Sequence, residues 1–186
     1  VGRCDGYLVK NNWMYQIYDT GITHQAGSQS KCDVHQYDAM YLDNLVEYCF
    51  WSLEFYNGQN EFDRDIKNVY ITGNFCRFGG FGWGCRGREN GAPMFASSSC
   101  CNNTQDFCVE NNIFDRCTGV LIALANDPGN RRVKFRSNAY IQPKGKKFLN
   151  ALGGQYIFDD KVKNTIGDVL GDKSATTYAL SDWDMG

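Results

Sequence analysis

The chain is poor in the residues that most often announce a chemistry. It has only two histidines, and neither stands at ligand spacing from a partner. No CxxC occurs among its nine cysteines, so a zinc site has no support in the sequence. No uninterrupted apolar run approaches the roughly 18 to 20 residues that cross a bilayer, so no membrane partner is expected. Nor is there an excess of charge. The net charge is -2 over 186 residues, which argues against a general polyanion binder and makes nucleic acid an unexpected partner. A secretion signal is also missing, but the chain opens on Val1 with "VGRCDGYLVKNN", already strand-like and without an initiator methionine. It reads as a fragment or processed product whose N-terminal part is missing, so the lack of a targeting segment excludes no compartment.

What is present is the composition of a soluble globular chain, 42% hydrophobic and 22% charged, at a length that predicts one domain with a substantial core. The cysteine count is odd, so at least one thiol cannot pair within the chain. They fall largely among apolar neighbours, as in "CRFGG" and "DRCTG", and read as buried or loop thiols rather than a disulfide framework.

An internal repeat emerges once asparagines are used as the register mark. "YLVKNNWMYQI", "AMYLDNLVEYC", "VYITGNFCRFG", "FCVENNIFDRC" and "VKFRSNAYIQP" each carry an asparagine at the sixth position: Asn12, Asn44, Asn74, Asn112 and Asn138. Three residues earlier stand Val9, Tyr41, Ile71, Val109 and Phe135, and two residues later Met14, Val46, Cys76, Phe114 and Tyr140. Residues such as Lys10, Thr72, Glu110 and Arg136 fall between the apolar positions. This alternation is that of strands with one buried face. The marks stand at unequal intervals, which suits a solenoid whose coils touch only their neighbours and whose insertions lie in loops. A buried asparagine at one place in every coil can hydrogen-bond to the coils above and below. Cys49 and Cys117 share the site five residues after the mark, which favours an inward column of small apolar groups.

These segments, with "NNWMYQIYDTGITHQ", "NLVEYCFWSLEFY" and "NNIFDRCTGVLIAL", resemble the right-handed parallel β-helix, the pectate-lyase-like superfamily and its "right-handed β-helix region" repeat families. The resemblance covers about Asp5 to Phe158. The expected fold is all-β, a right-handed parallel β-helix solenoid of about five coils with an asparagine ladder. The expected organisation is coils over residues 1–158, with further coils missing at the N-terminal side, and a C-terminal cap and tail over residues 159–186. In that tail "DDKVKNTIGDVLG" predicts a short capping helix, with Asp159 or Asp160 at its start, Val162, Ile166, Val169 and Leu170 on one side, and Gly171 at its end. The third coil departs from the pattern through the glycine-rich "FCRFGGFGWGCRGRENGAPMFASSSCCNN". Long loops inside a compact repeat are commonly functional or mobile.

In enzymes of this superfamily the groove runs along one parallel sheet, which the resemblance places at "GITHQ", "SLEFY", "GFGWGCR" and "GVLIAL". Aligning Ile22 with Leu53 as inward residues puts Thr23 beside Glu54 on the outside and Gln25 beside Tyr56, with His24 inward or at the strand end. Asp19, His24 and Glu54 are the catalytic candidates, since paired carboxylates serve glycoside hydrolysis and an imidazole is a ready base. Gln25, Tyr56, Trp83, Arg86, Arg88 and Glu89 are the substrate-binding candidates, because arginine forks match carboxylates and flat aromatic faces suit sugar rings. Against these stand the plainer roles of a packed strand histidine, a turn-forming Asp and a solvated loop tip. No metal ligand set is assigned. Calcium is a candidate cofactor at Glu61, Asp63 and Asp65 of "EFDRDIKN", an oxygen-rich loop without the glycine-centred spacing of a known calcium motif.

The expected function is that of a carbohydrate-active protein, a polysaccharide lyase or glycoside hydrolase holding an extended polysaccharide or oligosaccharide. The alternative is a non-catalytic glycan-binding or surface-adhesion module. A third class, the trimeric phage tail protein, is raised by the outward Leu8, Met40 and Tyr70. The resemblance implies an extracellular or cell-surface location.

Overall fold

The computed structural model describes residues 5–26, 34–57, 64–86, 88–97, 104–125, 133–151 and 153–181. Its strands come in five consecutive triplets. They are β1 (Tyr7–Lys10), β2 (Trp13–Tyr15) and β3 (Thr20–Ala26); β4 (Val34–Leu42), β5 (Leu45–Glu47) and β6 (Trp51–Asn57); β7 (Arg64–Thr72), β8 (Phe75–Gly79) and β9 (Ala92–Ser97); β10 (Thr104–Glu110), β11 (Ile113–Cys117) and β12 (Ile122–Ala125); and β13 (Val133–Arg136), β14 (Ala139–Pro143) and β15 (Lys147–Ala151). The first members of the triplets form sheet A, in the order β1-β4-β7-β10-β13, and the second and third members form sheets B and C in the same way. Within these triplets every pairing is parallel, and each strand pairs with the strand three places on in the chain. The chain is thus all-β and rich in parallel sheet, compatible with a β-helix.

The inward positions follow the apolar alternation. In sheet A, Val9 pairs with Tyr41, Tyr41 with Ile71, Ile71 with Val109 and Val109 with Phe135. In sheet B, Met14, Val46, Cys76, Phe114 and Tyr140 form a second file. Ile71, Val109, Val46, Cys76, Phe114 and Tyr140 are all buried, and each large apolar side chain withdrawn in this way contributes roughly 1.5 to 3 kcal/mol. Cys49 and Cys117, the equivalent thiols five residues after the mark, are also buried in this core, and neither is in a disulfide.

The corner between sheets A and B has its own chemistry. The residue ahead of each marking asparagine is Asn11, Asp43, Gly73, Asn111 or Ser137, and all five have φ between 52° and 69°. This left-handed conformation is the one that Asn, Asp and Gly adopt at least cost. Immediately after it, the asparagine side chain turns inward. Asn12 Nδ2 donates to Asn44 Oδ1 (3.0 Å), Asn44 to Asn74 (2.9 Å), Asn74 to Asn112 (2.9 Å) and Asn112 to Asn138 (3.1 Å). The same carboxamide oxygens also accept the backbone N–H of the preceding asparagine, at 2.9 to 3.0 Å. The second amide hydrogen of each buried member goes to a strand carbonyl, Val9, Tyr41, Ile71 or Val109.

The C-terminal part closes the stack in three ways. Strand β16 (Gly154–Ile157) folds back antiparallel on β15, helix α1 (Val162–Val169) buries Val162, Ile166 and Val169, and β17 (Thr176–Leu180) adds a parallel sixth strand to sheet B beside β14. The helix is entered through Asp159, whose carboxylate accepts the Lys161 N–H at 2.8 Å, and is left through Gly171 at φ 76°. The tail beyond residue 158 therefore carries a strand of sheet B as well as the short helix.

One segment differs from the sequence expectation. The third member of sheet C in its triplet is not "GFGWGCR" but "APMFAS", Ala92–Ser97. Gly80 and Gly84 have φ of 81° and 80°, outside any strand conformation, and the segment leaves the stack as an excursion. Gly82 lies so close to the Tyr48 carbonyl that a Cβ there would stand 1.9 Å from its oxygen, and Arg86 N–H donates to the Tyr18 carbonyl at 2.9 Å. The excursion is thus pinned against the first two triplets before β9 resumes sheet C.

Replacing Asn74 by Ala would leave the Asn44 donors and the Tyr41 carbonyl without that partner, while Asn112 Oδ1 would keep only the backbone N–H of residue 74. Several unsatisfied buried groups at about 1 to 3 kcal/mol each predict a loss of at least about 3 kcal/mol in urea unfolding. Asn12→Ala, at the exposed end of the file, is expected to cost no more than about 1 kcal/mol in the same measurement.

Candidate functional site

Sheet C shows the expected register: Ile22 pairs with Leu53, Thr23 with Glu54 and Gln25 with Tyr56. Continued through the later triplets, the outward column reads Thr23, Glu54, Phe95, Ala123 and Asn150, and Gln155 of β16 stands opposite Asn150. The flanking residues Leu53, Phe55, Met94, Ile122, Leu124, Leu149 and Ala151 are buried, which fixes this column on the outer face.

Over that column lies a cleft of about 550 Å³. One end is aromatic: the Trp51 and Phe95 rings lie face to face with centroids 4.0 Å apart and planes within 3°. Ala123 lines its middle, and Asn150, Gln155 and Ile157 line the far end. Its rim is formed by Glu89 and Asn90 of a short 3-10 turn, the Thr118–Gly119–Val120 corner, and Lys146 and Lys147. A planar apolar surface beside neutral hydrogen-bonding groups is the composition of a site for a ligand that is part apolar and part polar.

The three catalytic candidates are not gathered into one cluster. Glu54 is outward, beside Phe95 in the column, and its Oε2 accepts hydrogen bonds from the Thr20 and Thr23 hydroxyls at 3.1 and 3.0 Å. His24 pairs with Phe55 and faces the other side of the same sheet, because residues one apart in a strand point to opposite faces. It is 1% exposed, with Phe55 and Phe107 around it and the Tyr7 and Tyr41 hydroxyls each 2.8 Å from Nδ1. Asp19 sits before β3, where its Oδ2 pairs with Arg86 Nη1 at 3.1 Å on the surface. An exposed pair of this kind contributes at most about 1 kcal/mol.

Of the substrate-binding candidates, Glu89 lines the cleft. Trp83 is 84% exposed on the glycine-rich excursion, and Arg86 is engaged with Asp19. The side chains of Gln25, Tyr56 and Arg88 lie outside the described residues, as do Glu61, Asp63 and the side chain of Asp65. Among the described residues no group of three His, Cys, Asp or Glu side chains is placed to hold a metal ion. The buried thiols offer no nucleophile, since burial pushes Cys49 up to about 11 and Cys117 up to about 12. Trp51, Phe95, Ala123, Asn150 and Gln155 are the site residues that reading the sequence missed.

Burial lowers the His24 pKa from 6.5 to about 4, and its Nε2 is enclosed without a hydrogen-bond partner. Between these two values the unfolded chain takes up a proton that the folded protein refuses. Stability is therefore fully present above the unfolded value and falls as pH drops from about 6.5 toward 4, by up to about 3 kcal/mol. Urea unfolding at pH 7 and pH 4.5 is expected to show this loss, and His24→Phe is expected to reduce it. Comparison of the chain with models of protein families, with curated proteins and with solved structures finds no match.

Proposed function

We propose that this chain is a right-handed parallel β-helix of the pectate-lyase-like kind, with the buried asparagines as its ladder, and that its sheet C cleft binds an extended polysaccharide. The observation that carries the reading is the parallel Trp51–Phe95 pair opening onto the uncharged Ala123 and Asn150 of the outward column, which crosses successive coils. Neighbouring strands repeat every 4.7 to 4.9 Å or so, so the column offers a linear polymer contacts at regular intervals. A polymeric sugar ligand goes with an extracellular or cell-surface location. No helix among the described residues is long and apolar enough to cross a membrane.

A second reading, glycoside hydrolysis, is favoured by one observation. The Glu54 carboxylate, held by two threonine hydroxyls, neighbours Phe95 in the column beside the cleft lining, and Glu89 stands on the cleft rim. Two carboxyl groups across a sugar site are the minimum for that chemistry. Elimination with His24 as base is excluded from this reading, because the imidazole is sealed in the core on the face of sheet C away from the cleft.

Phe95→Ala removes an outward ring and leaves the core file intact. It is expected to weaken binding of a hexasaccharide roughly fivefold by calorimetry, the loss of one aromatic contact of about 1 kcal/mol. Unchanged affinity would remove the cleft as the binding site. For hydrolysis, Glu54→Gln is expected to abolish release of reducing ends while binding persists, and full turnover in that variant would leave binding alone.

A further inference from the structure

The column under the cleft has a gap in it. Phe95 and Asn150 are two strands apart, roughly 10 Å at ordinary strand spacing, and only the Ala123 methyl stands between them. The face of Phe95 turned away from Trp51 is therefore the wall of a slot whose floor is a single methyl group. The opposite wall is a pair of carboxamides, Asn150 of β15 and Gln155 of β16, directly opposite one another across the antiparallel pairing. Both line the cleft, and neither side chain has a hydrogen-bond partner among the described residues. The nearby Gln142 carboxamide differs, for it is used up on the Lys147 carbonyl and the Cys117 N–H.

Such a slot asks for a flat, uncharged group with one apolar side and both a donor and an acceptor. A pair of carboxamides supplies N–H and C=O together and no net charge. A plain hydroxyl leaves the aromatic wall and the methyl floor uncovered, and a carboxylate has no N–H for the carboxamide oxygens. An acetamido substituent meets all the terms. Its methyl covers Ala123 beside Phe95, and its N–H or C=O reaches the Asn150 and Gln155 carboxamides.

Resting on the reading of the cleft as a glycan site, we propose that it selects polysaccharides of acetamido sugars, with the acetamido group seated on Ala123 between Phe95 and the two carboxamides. Lys146 and Lys147 on the rim offer the rival chemistry, an acidic sugar held by its carboxylate, with Glu89 opposing them.

The test is calorimetry on the whole chain with three hexasaccharides: β-1,4-linked glucose, β-1,4-linked N-acetylglucosamine, and α-1,4-linked galacturonate. The first two differ only at the substituent on C2. The acetamido hexamer is expected to bind roughly tenfold or more tighter than the glucose hexamer. Ala123→Leu, which fills the slot, and Asn150→Leu, which removes one carboxamide, are each expected to bring that preference below about threefold. Both positions point outward, so thermal melts of the two variants are expected to match the parent. Equal affinity for the first two sugars, tighter binding of galacturonate, or a preference that survives both variants would overturn the acetamido assignment while leaving glycan binding in place. Binding of none of the three would overturn both.

Discussion

Burying an amide side chain is costly unless every donor and acceptor on it is matched, and the core of this protein meets that condition by repetition. Each inner asparagine receives from the one before, gives to the one after, and spends its remaining hydrogen on a strand carbonyl. The match fails if any strand slips by one residue, because the carboxamide would then face solvent and its neighbours would be left bare. Hydrophobic burial supplies the larger stabilisation, but apolar side chains tolerate substitution and sliding. The polar file is what specifies which residues of successive strand triplets stand beside each other, and therefore which side chains share the outer column.

The outer column inherits its order from that register. No local motif joins Phe95, Ala123 and Asn150; they become neighbours because the parallel register of sheet C pairs Phe95 with Ala123 and Ala123 with Asn150. The return strand β16 then places Gln155 beside Asn150. The cleft is a product of the winding together with one size choice, a methyl group at Ala123 between larger residues. The face opposite, where His24 lies, is committed to packing, and its aromatic surroundings leave the imidazole no route to solvent.

Much of this was legible in the residues. Period-two alternation and the recurring asparagine were enough to pair Ile22 with Leu53 and Thr23 with Glu54, and to place Val162, Ile166 and Val169 on one side of a helix. The residues before the asparagines, Asn11, Asp43, Gly73, Asn111 and Ser137, carried a second signal, since most of them are types that accept the left-handed corner. The third coil was not legible. Its glycine-rich insertion contains aromatic residues that imitate a strand, while "APMFAS" is short and begins with a small residue and a proline. Misplacing that strand hid Phe95, and with it the column. The nearness of Asp19 and His24 in the chain was misleading for a different reason, because sequence neighbours in a strand alternate between solvent and core.

At its far end the file of carboxamides meets Asp172 instead of a sixth asparagine. This buried carboxylate accepts from Asn138 Nδ2, from the backbone of Ser137 and Asn138, and from the Tyr140 hydroxyl. Asp172 is the acceptor in each of these bonds, so the sequence of donations stops there. Every amide dipole in the file points its positive end toward that site, and the five of them converge on a negative group much as a helix start converges on an anion. The stack consequently has a direction. Strand triplets added to or removed from its middle would preserve it, whereas at the Asp172 end no sixth asparagine continues the file.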